Sequence, residues 1–201
     1  MYRKLLVLAG SIGLIAGLGM SQAKAAGELN FYTWADYTSP ELIEKFEADT
    51  GIKVNIDTFP GNEELLAKLK SGATGYDIIV PGDYLVEILI REDMLERVEP
   101  NQLENFKNVE QRWVDVYWDP GRHYSIPWMW GTTSFNVNTD VYDGDIHTLS
   151  VLFDPPDVLK GRINMFQDST EVINMALRYL GFSRCNSNSE EMKQVQELLL
   201  R

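Results

Sequence analysis

The chain has 201 residues and a formal net charge of −12, from 30 acidic and 18 basic side chains. Such an acidic protein repels nucleic acid and anionic lipid, which argues against nucleic-acid binding and leaves a plain soluble protein or one with a cationic partner. The single cysteine, Cys185, excludes an internal disulfide framework and predicts either a packed small side chain or a free thiol.

The first 25 residues have the pattern of a cleavable export signal. Two basic residues precede an uncharged stretch over residues 5–20, and Ala23-Lys24-Ala25 has the small-x-small form of a signal-peptidase site. Glycines dilute the apolar stretch, and no later segment approaches the roughly 20 apolar residues of a membrane span. We therefore predict a soluble periplasmic protein that is cleaved near Ala25.

The next residues indicate a strand followed by a helix. Leu29 and Phe31 alternate with polar neighbours, as in a strand with one buried face. Ser39 and Pro40 then provide an N-cap and a first-turn proline, and Gly51 is placed to end the helix. We expect this helix to bury one apolar stripe, formed by Leu42, Ile43 and Phe46.

A second strand, a second helix and a third strand follow. Val54 and Ile56 open the strand, and Asn62 is placed to cap a helix with an apolar face of Leu65, Leu66 and Leu69. Residues 76–81, YDIIVP, have the unbroken apolar pattern of a fully buried strand. This alternation of strands and helices predicts an α/β fold, with a largely parallel sheet covered on both faces.

The rest of the chain is less regular and then repeats the pattern. Turn signals make residues 101–124 irregular, and strands are expected at 133–138 and 162–166. A helix is predicted from Asp168 to about Gly181, and another from residue 189 to the end. The apolar face of that last helix has no following partner, which indicates a second unit that is begun and left unfinished.

Aromatic and carboxylate side chains recur in the loops that follow predicted strands. In open α/β sheets, ligands bind beyond the carboxyl ends of the strands. Carboxylates bind ammonium groups, and aromatic faces cover alkyl links and attract cations, so the pattern favours a cation with apolar methylenes over a phosphate. The candidate residues are Trp34, Asp36, Tyr37, Gly82, Asp83, Tyr84, Asp168 and Glu171.

Each of these residues also has a structural explanation. Asp36 fits a turn, and Trp34 fits a hydrophobic core. Asp83, and Asp168 with Glu171, fit helix caps. A cap and a ligand site are compatible, because a helix N-terminus stabilises negative charge. A further aromatic group is interpreted as packing rather than binding, and consists of Tyr124, Trp128 and Trp130.

Four segments together resemble a known family: FYTWADYTSPELIEKFEADTGIKV (31–54), YDIIVPGDY (76–84), YSIPWMWGTT (124–133) and DSTEVINMALRYLGF (168–182). They are similar, in the same order, to the spermidine/putrescine-binding periplasmic proteins of ABC importers. The resemblance implies a two-lobed, hinged fold, type II-like, that closes on a polyamine and docks on a membrane permease. It implies a first lobe over 26–133 and the start of a second, incomplete lobe over 134–201.

The resemblance also assigns roles to individual residues. The aromatic wall and carboxylate of the polyamine slot are matched by Trp34, Asp36, Tyr37 and Tyr84. Asp168 and Glu171 match the second-lobe acids that hold a terminal ammonium. Two positions differ from the family: Gly82 stands where a ligand-contacting serine is typical, and Asp36 is shorter than the glutamate of some members.

We therefore expect a monomer that captures putrescine or spermidine for uptake, without a cofactor or metal. We also expect this chain to fold poorly alone or to bind weakly, because part of the ligand cleft is absent. The alternatives are another cationic or aromatic-stacked solute, a polyamine sensor, or a non-functional truncated product. An exported enzyme is disfavoured, because the chain has two histidines, a cysteine without a partner motif, and no spacing typical of a nucleophile or a metal site.

Overall fold

The computed structural model describes residues 27–72 and 75–201. The predicted export signal, with cleavage near Ala25, lies outside these residues. The strands and α-helices are β1 (Glu28–Trp34), α1 (Pro40–Thr50), β2 (Lys53–Phe59), α2 (Asn62–Lys70), β3 (Ile78–Ile79), α3 (Asp83–Arg91), α4 (Ser150–Phe153), α5 (Ser169–Tyr179) and α6 (Ser189–Leu199). Short 3-10 helices occur at Pro100–Gln102, Glu104–Asn108, Gln111–Trp113 and Asp157–Leu159.

The three strands form a parallel sheet in the order β2-β1-β3, which confirms the predicted alternation and strand direction. β1 and β2 pair along their full length, from Glu28 opposite Lys53 to Trp34 opposite Phe59. β3 pairs with β1 through only two residues. The prediction of a fully buried strand over 76–81 is wrong: the strand is short and Ile78 is 47% exposed, because β3 lies at the sheet edge.

One face of the sheet carries the main hydrophobic core. Tyr32 and Phe59 contribute from the strands, and leucines contribute from α2 and α3. The Tyr32 ring lies edge-on to Phe59 at 4.9 Å and stacks on Tyr76 at 4.4 Å between centroids. The buried members, which we call the first core, are Tyr32, Phe59, Leu65, Leu85 and Leu89. This packing fixes the starts of α2 and α3 relative to the carboxyl ends of the strands.

Helix α1 has the predicted ends but not the predicted burial. The Ser39 hydroxyl accepts a hydrogen bond from the Leu42 N–H at 3.2 Å, and Gly51 ends the helix with a φ of 72°. No residue of α1 is buried, and Leu42 and Phe46 are 49% and 37% exposed. On β2, Ile56 is also exposed. The expected burial of the stripe is therefore wrong, because the described residues supply no surface that covers it. The expected cover of both sheet faces holds for the central strand, where Phe31 and Tyr32 are both buried, but not for Ile56 on β2.

The segment between α3 and α4 contains no α-helix or strand, so the irregular structure predicted for 101–124 is confirmed. Asp119 organises part of it. Its buried carboxylate accepts hydrogen bonds from the backbone N–H groups of His123, Tyr124 and Ser125 at 3.1, 3.2 and 2.8 Å. These bonds satisfy backbone donors that no strand or helix satisfies.

Two predicted strands, over 133–138 and 162–166, are absent from the structure. A strand needs a neighbouring chain for its hydrogen bonds, and neither segment pairs with another strand among the described residues. The aromatic group nearby does pack, although outside any strand. Trp128 contacts Phe31 edge-on at 5.6 Å and Trp130 lies 6.5 Å from Trp113, while both remain about half exposed.

The predicted C-terminal helices are confirmed, and they form a second core. Asp168 caps α5, Gly181 follows its end with a φ of 80°, and Asn188 caps α6. The side chains between the two helices, which we call the second core, are Ala176, Leu177, Val195 and Leu198. Cys185, in the loop between them, is free and exposed, as the free-thiol alternative predicts.

Candidate functional site

The polar centre of the candidate site is the carboxylate of Asp168, which is only 2% exposed. Its Oδ1 accepts a hydrogen bond from the Glu171 N–H at 3.1 Å, which confirms the predicted cap. Its Oδ2 accepts from Nδ2 of Asn62 at 2.9 Å and from the Tyr84 hydroxyl at 3.5 Å. A buried carboxylate needs such donors, and here two of the three come from the N-terminal part of the chain.

Asn62 has a different role from the predicted one. The N-cap of α2 is Gly61, which makes no side-chain cap, and Asn62 is the first helical residue. The Oδ1 of Asn62 instead accepts from the Gly82 N–H at 2.8 Å, while its Nδ2 donates to Asp168. The capping prediction is therefore wrong, because the side chain reaches two groups outside its own helix.

Tyr84 lies half-buried beside Asp168. Burial raises the pKa of Tyr84 to about 12; a hydrogen bond with Thr170 opposes this shift, and the negative charge of Asp168 adds to it. The hydroxyl therefore keeps its proton, and can donate, over the whole physiological range. Its ring also packs against the first core.

The two residues before Tyr84 differ in their surroundings. Gly82 is the N-cap of α3, and its N–H is held by Asn62. A Cβ atom on Gly82 would lie 3.1 Å from Nδ2 of Asn62, so a serine at this position would require Asn62 to shift. Asp83 is exposed at the first helical position, where its Oδ1 accepts from the Tyr84 N–H at 2.8 Å, so it is not the predicted N-cap.

The loop after β1 presents two aromatic rings. The Trp34 ring packs on Phe59 at 4.7 Å and lies 6.0 Å from the Tyr37 ring. Trp34 thus belongs to the edge of the first core, as its structural explanation proposes, and Tyr37 is 40% exposed. Asp36 is exposed with a φ of 60°, in the left-handed region, which fits its interpretation as a turn residue.

The structure thus joins three of the predicted residues, Gly82, Tyr84 and Asp168, in one hydrogen-bonded cluster. Asn62 connects Gly82 with Asp168, although the aromatic and carboxylate pattern of the loops does not predict it as a site residue. A signal for it existed, since Asn62 follows β2 at the same carboxyl edge where the other candidate loops occur. Glu171 contributes its backbone N–H, whereas the side chains of Asp36 and Asp83 are exposed.

Away from the candidate site, the described residues form a surface depression, and they contain neither a metal-binding cluster nor a helix that could span a membrane. A surface depression of about 360 Å³ is lined by Asn55, Asp57, Lys68 and Tyr76 among others, and by none of the candidate site residues. Among residues 27–72 and 75–201, no cluster of His, Cys, Asp or Glu side chains is arranged to hold a metal ion. In the same ranges, no helix has the length and apolar character needed to cross a bilayer.

Comparison with known proteins identifies the family. A family model described as bacterial extracellular solute-binding protein matches residues 41–199. The chain belongs to this family. The match includes Asn62, Gly82, Tyr84 and Asp168, so the hydrogen-bonded cluster lies within the family region.

Individual relatives agree with this assignment. A "Spermidine/putrescine-binding periplasmic protein" of Salmonella typhimurium is 37% identical over 185 residues, covering 90% of this chain and 53% of the relative. The "Putrescine-binding periplasmic protein SpuD" of Pseudomonas aeruginosa is 34% identical over 207 residues, covering 98% of this chain and 55% of the relative. This chain therefore spans about half the length of the curated relatives it matches.

A solved structure shows the same fold. It is described as a "Putative spermidine/putrescine ABC transporter from Listeria monocytogenes", with a TM-score of 0.77 and 35% identity. The likeness covers 87% of this chain and 54% of that one. These comparisons confirm the resemblance found in the sequence and the predicted α/β fold of the periplasmic binding protein type.

Proposed function

We propose that this protein captures a polyamine, putrescine or spermidine, in the periplasm and delivers it to the membrane permease of an ABC importer. It acts as a monomeric binding protein, without covalent chemistry, a cofactor or nucleic acid. The observation that carries the proposal is the buried Asp168 carboxylate, held next to the Tyr84 hydroxyl at the carboxyl edge of the sheet. The names of the relatives support the choice of ligand.

The carboxylate of Asp168 has acceptor capacity to spare. An ionised carboxylate offers about four acceptor positions, and hydrogen bonds from Glu171, Asn62 and Tyr84 use three of them. The Tyr84 contact is the longest, at 3.5 Å. Because Asp168 is 2% exposed, the ligand reaches it when the two parts of the chain separate. A terminal ammonium then takes the free position and replaces the weak Tyr84 bond, and a hydrogen bond between charged groups contributes roughly 1.5–3 kcal/mol.

The aromatic rings hold the rest of the ligand. Trp34 and Tyr37 lie at the end of β1 with their centroids 6.0 Å apart, and Tyr37 is open to solvent. Their faces cover the methylene links and attract the second ammonium, which contributes roughly 0.5–2 kcal/mol. Asp36 adds negative charge next to the rings. The acidic balance of the whole chain favours the approach of a cationic ligand.

Closure of the two parts of the chain completes capture. The first core and the second core are separate, and the Asp168 cluster joins elements of both. A ligand that contacts both parts shifts the population toward the closed arrangement. We retain 26–133 and 134–201 as the proposed lobe boundaries, and Glu171 as a proposed second ligand for the ammonium.

The test is calorimetric titration of the chain with spermidine. Asp168→Asn keeps the size of the side chain and removes its charge, so we expect affinity to fall roughly 10- to 100-fold, equivalent to one charged hydrogen bond. The matched control is Asp157→Asn, which removes an exposed carboxylate paired with Lys160, and it should bind like the unsubstituted protein. Equal affinities in both variants, or no binding by the unsubstituted protein, would refute the proposal.

A second candidate is a solute held mainly by ring stacking, which the Trp34–Tyr37 pair favours. Such a ligand would survive the combined change Asp168→Asn and Glu171→Gln but not Trp34→Ala. Spermidine, in contrast, should lose binding in the variant that carries both Asp168→Asn and Glu171→Gln, because its ammonium groups need these charges. The comparison of these variants therefore separates the two ligand classes.

A further inference from the structure

Three helix N-termini meet at the side chain of one buried residue. Asn62 is the first residue of α2, Gly82 precedes α3, and Asp168 precedes α5. Asn62 is 4% exposed, and its amide spans the gap between the other two, with Gly82 N to Oδ1 at 2.8 Å and Nδ2 to Asp168 Oδ2 at 2.9 Å. A single side chain therefore connects all three helix starts.

The two hydrogen bonds require opposite polarity at the two ends of this side chain. The Gly82 N–H needs an acceptor, and the Asp168 carboxylate needs a donor. The amide of Asn62 supplies both and can face only one way. An aspartate at this position supplies no donor while it is ionised, and an alanine supplies neither group, so both would leave a buried polar group unsatisfied.

The contact of Asn62 with Asp168 is the central one of three neighbouring contacts between residues 61–63 and residues 167–169, which we call the row. Asn62 pairs with Asp168, and the next residues pair in the same register, because the Ser169 hydroxyl donates to the Glu63 carboxylate. On the other side, a Cβ atom on Gly61 would lie 3.1 Å from the carbonyl oxygen of Gln167. The start of α2 therefore packs directly along the start of α5, and Asp168 is held at a fixed place in this row.

We propose that Asn62 is a positioning residue, which fixes the Asp168 carboxylate where it receives the ligand ammonium. This inference rests on the proposed function and deepens it. A neutral amide is suited to this role, because it satisfies one carboxylate oxygen without cancelling its charge. A lysine or arginine would bind the same oxygen and leave no net charge to attract the ligand. Asn62 thus combines orientation with preserved negative charge.

The first experiment measures amide hydrogen exchange without ligand. In Asn62→Ala, we expect faster exchange at Gly82, which loses its acceptor, and at Glu171, whose N–H binds the released Asp168. Asn62→Asp keeps the acceptor for Gly82, so only Glu171 should be affected at pH 8. In this variant two carboxylates face each other, so the repulsion between them raises the pKa of the pair and they share one proton as the pH is lowered to 5. That proton restores a hydrogen bond between the two side chains, and the protection of Glu171 should return to that of the unsubstituted protein at the same pH.

The second experiment titrates spermidine into Asn62→Ala. We expect affinity to fall at least tenfold, because Asp168 is no longer oriented. The matched control is Asn55→Ala, which removes an amide bonded to Asn30 on the same sheet, and it should bind within twofold of the unsubstituted protein. Unchanged Glu171 exchange together with unchanged affinity in Asn62→Ala would overturn the role of Asn62. The predicted exchange pattern without any spermidine binding would support that role and overturn the polyamine assignment.

Discussion

At the scale of single residues, the environment of Tyr84 determines its chemistry. Burial disfavours the phenolate, the nearby carboxylate of Asp168 repels it, and the pKa rises to about 12 although a hydrogen bond with Thr170 opposes the shift. A neutral hydroxyl can donate to a carboxylate, whereas a phenolate would repel it. The residue thus stays a donor under any condition in which a polyamine is cationic.

This shift predicts a pH dependence of stability. Between pH 10, near the pKa of an unfolded tyrosine, and pH 12, the folded protein keeps a Tyr84 proton that the unfolded chain loses. The contribution to the free energy of unfolding is complete below pH 10 and is lost as the pH rises toward 12. The shift corresponds to at most roughly 2.7 kcal/mol, and solvent screening of the half-buried ring reduces the expected loss to about 1–2 kcal/mol.

Denaturant unfolding of the protein and of Tyr84→Phe across this range measures the effect. The pKa values of Tyr32 and Tyr117 are also raised, mainly by burial, so the difference between the two proteins is the relevant quantity. Parallel pH profiles for the two proteins would contradict the assignment.

At the scale of elements, helices with similar amphipathic sequences differ in how deeply they pack. α2 and α3 bury leucines in the first core, while α1 presents its apolar side chains to solvent. The difference does not follow from the helix sequence, because an apolar stripe is buried only where the rest of the fold supplies a surface. Stability should therefore depend on α2 and α3 and little on α1.

Two matched leucine substitutions test this difference. Leu65 is fully buried on α2, whereas Leu42 is 49% exposed on α1. We expect Leu65→Ala to lower the free energy of unfolding by about 2–5 kcal/mol, from lost burial and the cavity left behind. Leu42→Ala should cost less than about 1 kcal/mol. Urea denaturation measures both, and equal losses would show that α1 is buried in solution.

The same contrast explains which elements could be predicted from sequence. The starts and ends of α1 and α5 depend on neighbouring residues, such as Ser39, Gly51 and Asp168, and they were predicted correctly. The strands expected over 133–138 and 162–166 depend on a partner chain, which local patterns do not reveal. The sequence predicts a local cap for Asn62, because its partner Asp168 lies 106 positions away and local patterns do not reveal it.

At the scale of the whole molecule, two hydrophobic cores are joined through polar contacts. The first core lies between the sheet and the helices α2 and α3, and the second lies between α5 and α6. The row that includes Asn62 and Asp168 links the two parts. Polar contacts of this kind couple two units less strongly than a shared apolar core, as the proposed closure on a ligand requires.

This organisation predicts that the two cores open separately. Leu177→Ala creates a cavity in the second core and should lower the hydrogen-exchange protection of α5 and α6 by about 2–5 kcal/mol. Protection of β1, α2 and α3 should change by less than about 1 kcal/mol. Native-state exchange resolved by residue gives both values, and an equal loss in every element would show one cooperative unit.

The two edge strands of the sheet, β2 and β3, affect whether copies of the protein associate at high concentration. β2 forms one flank of the sheet, and on that side the Val54 N–H donates to the Glu47 carboxylate at 2.7 Å, so a side chain already occupies part of the edge. Lys53 and Asp57 place opposite charges along that flank, and the other flank, β3, is only two residues long. Charges and shortness both discourage another copy from adding a strand. We therefore expect the sheet edges to resist pairing with another copy at high concentration, even though Ile56 and Ile78 remain in contact with water.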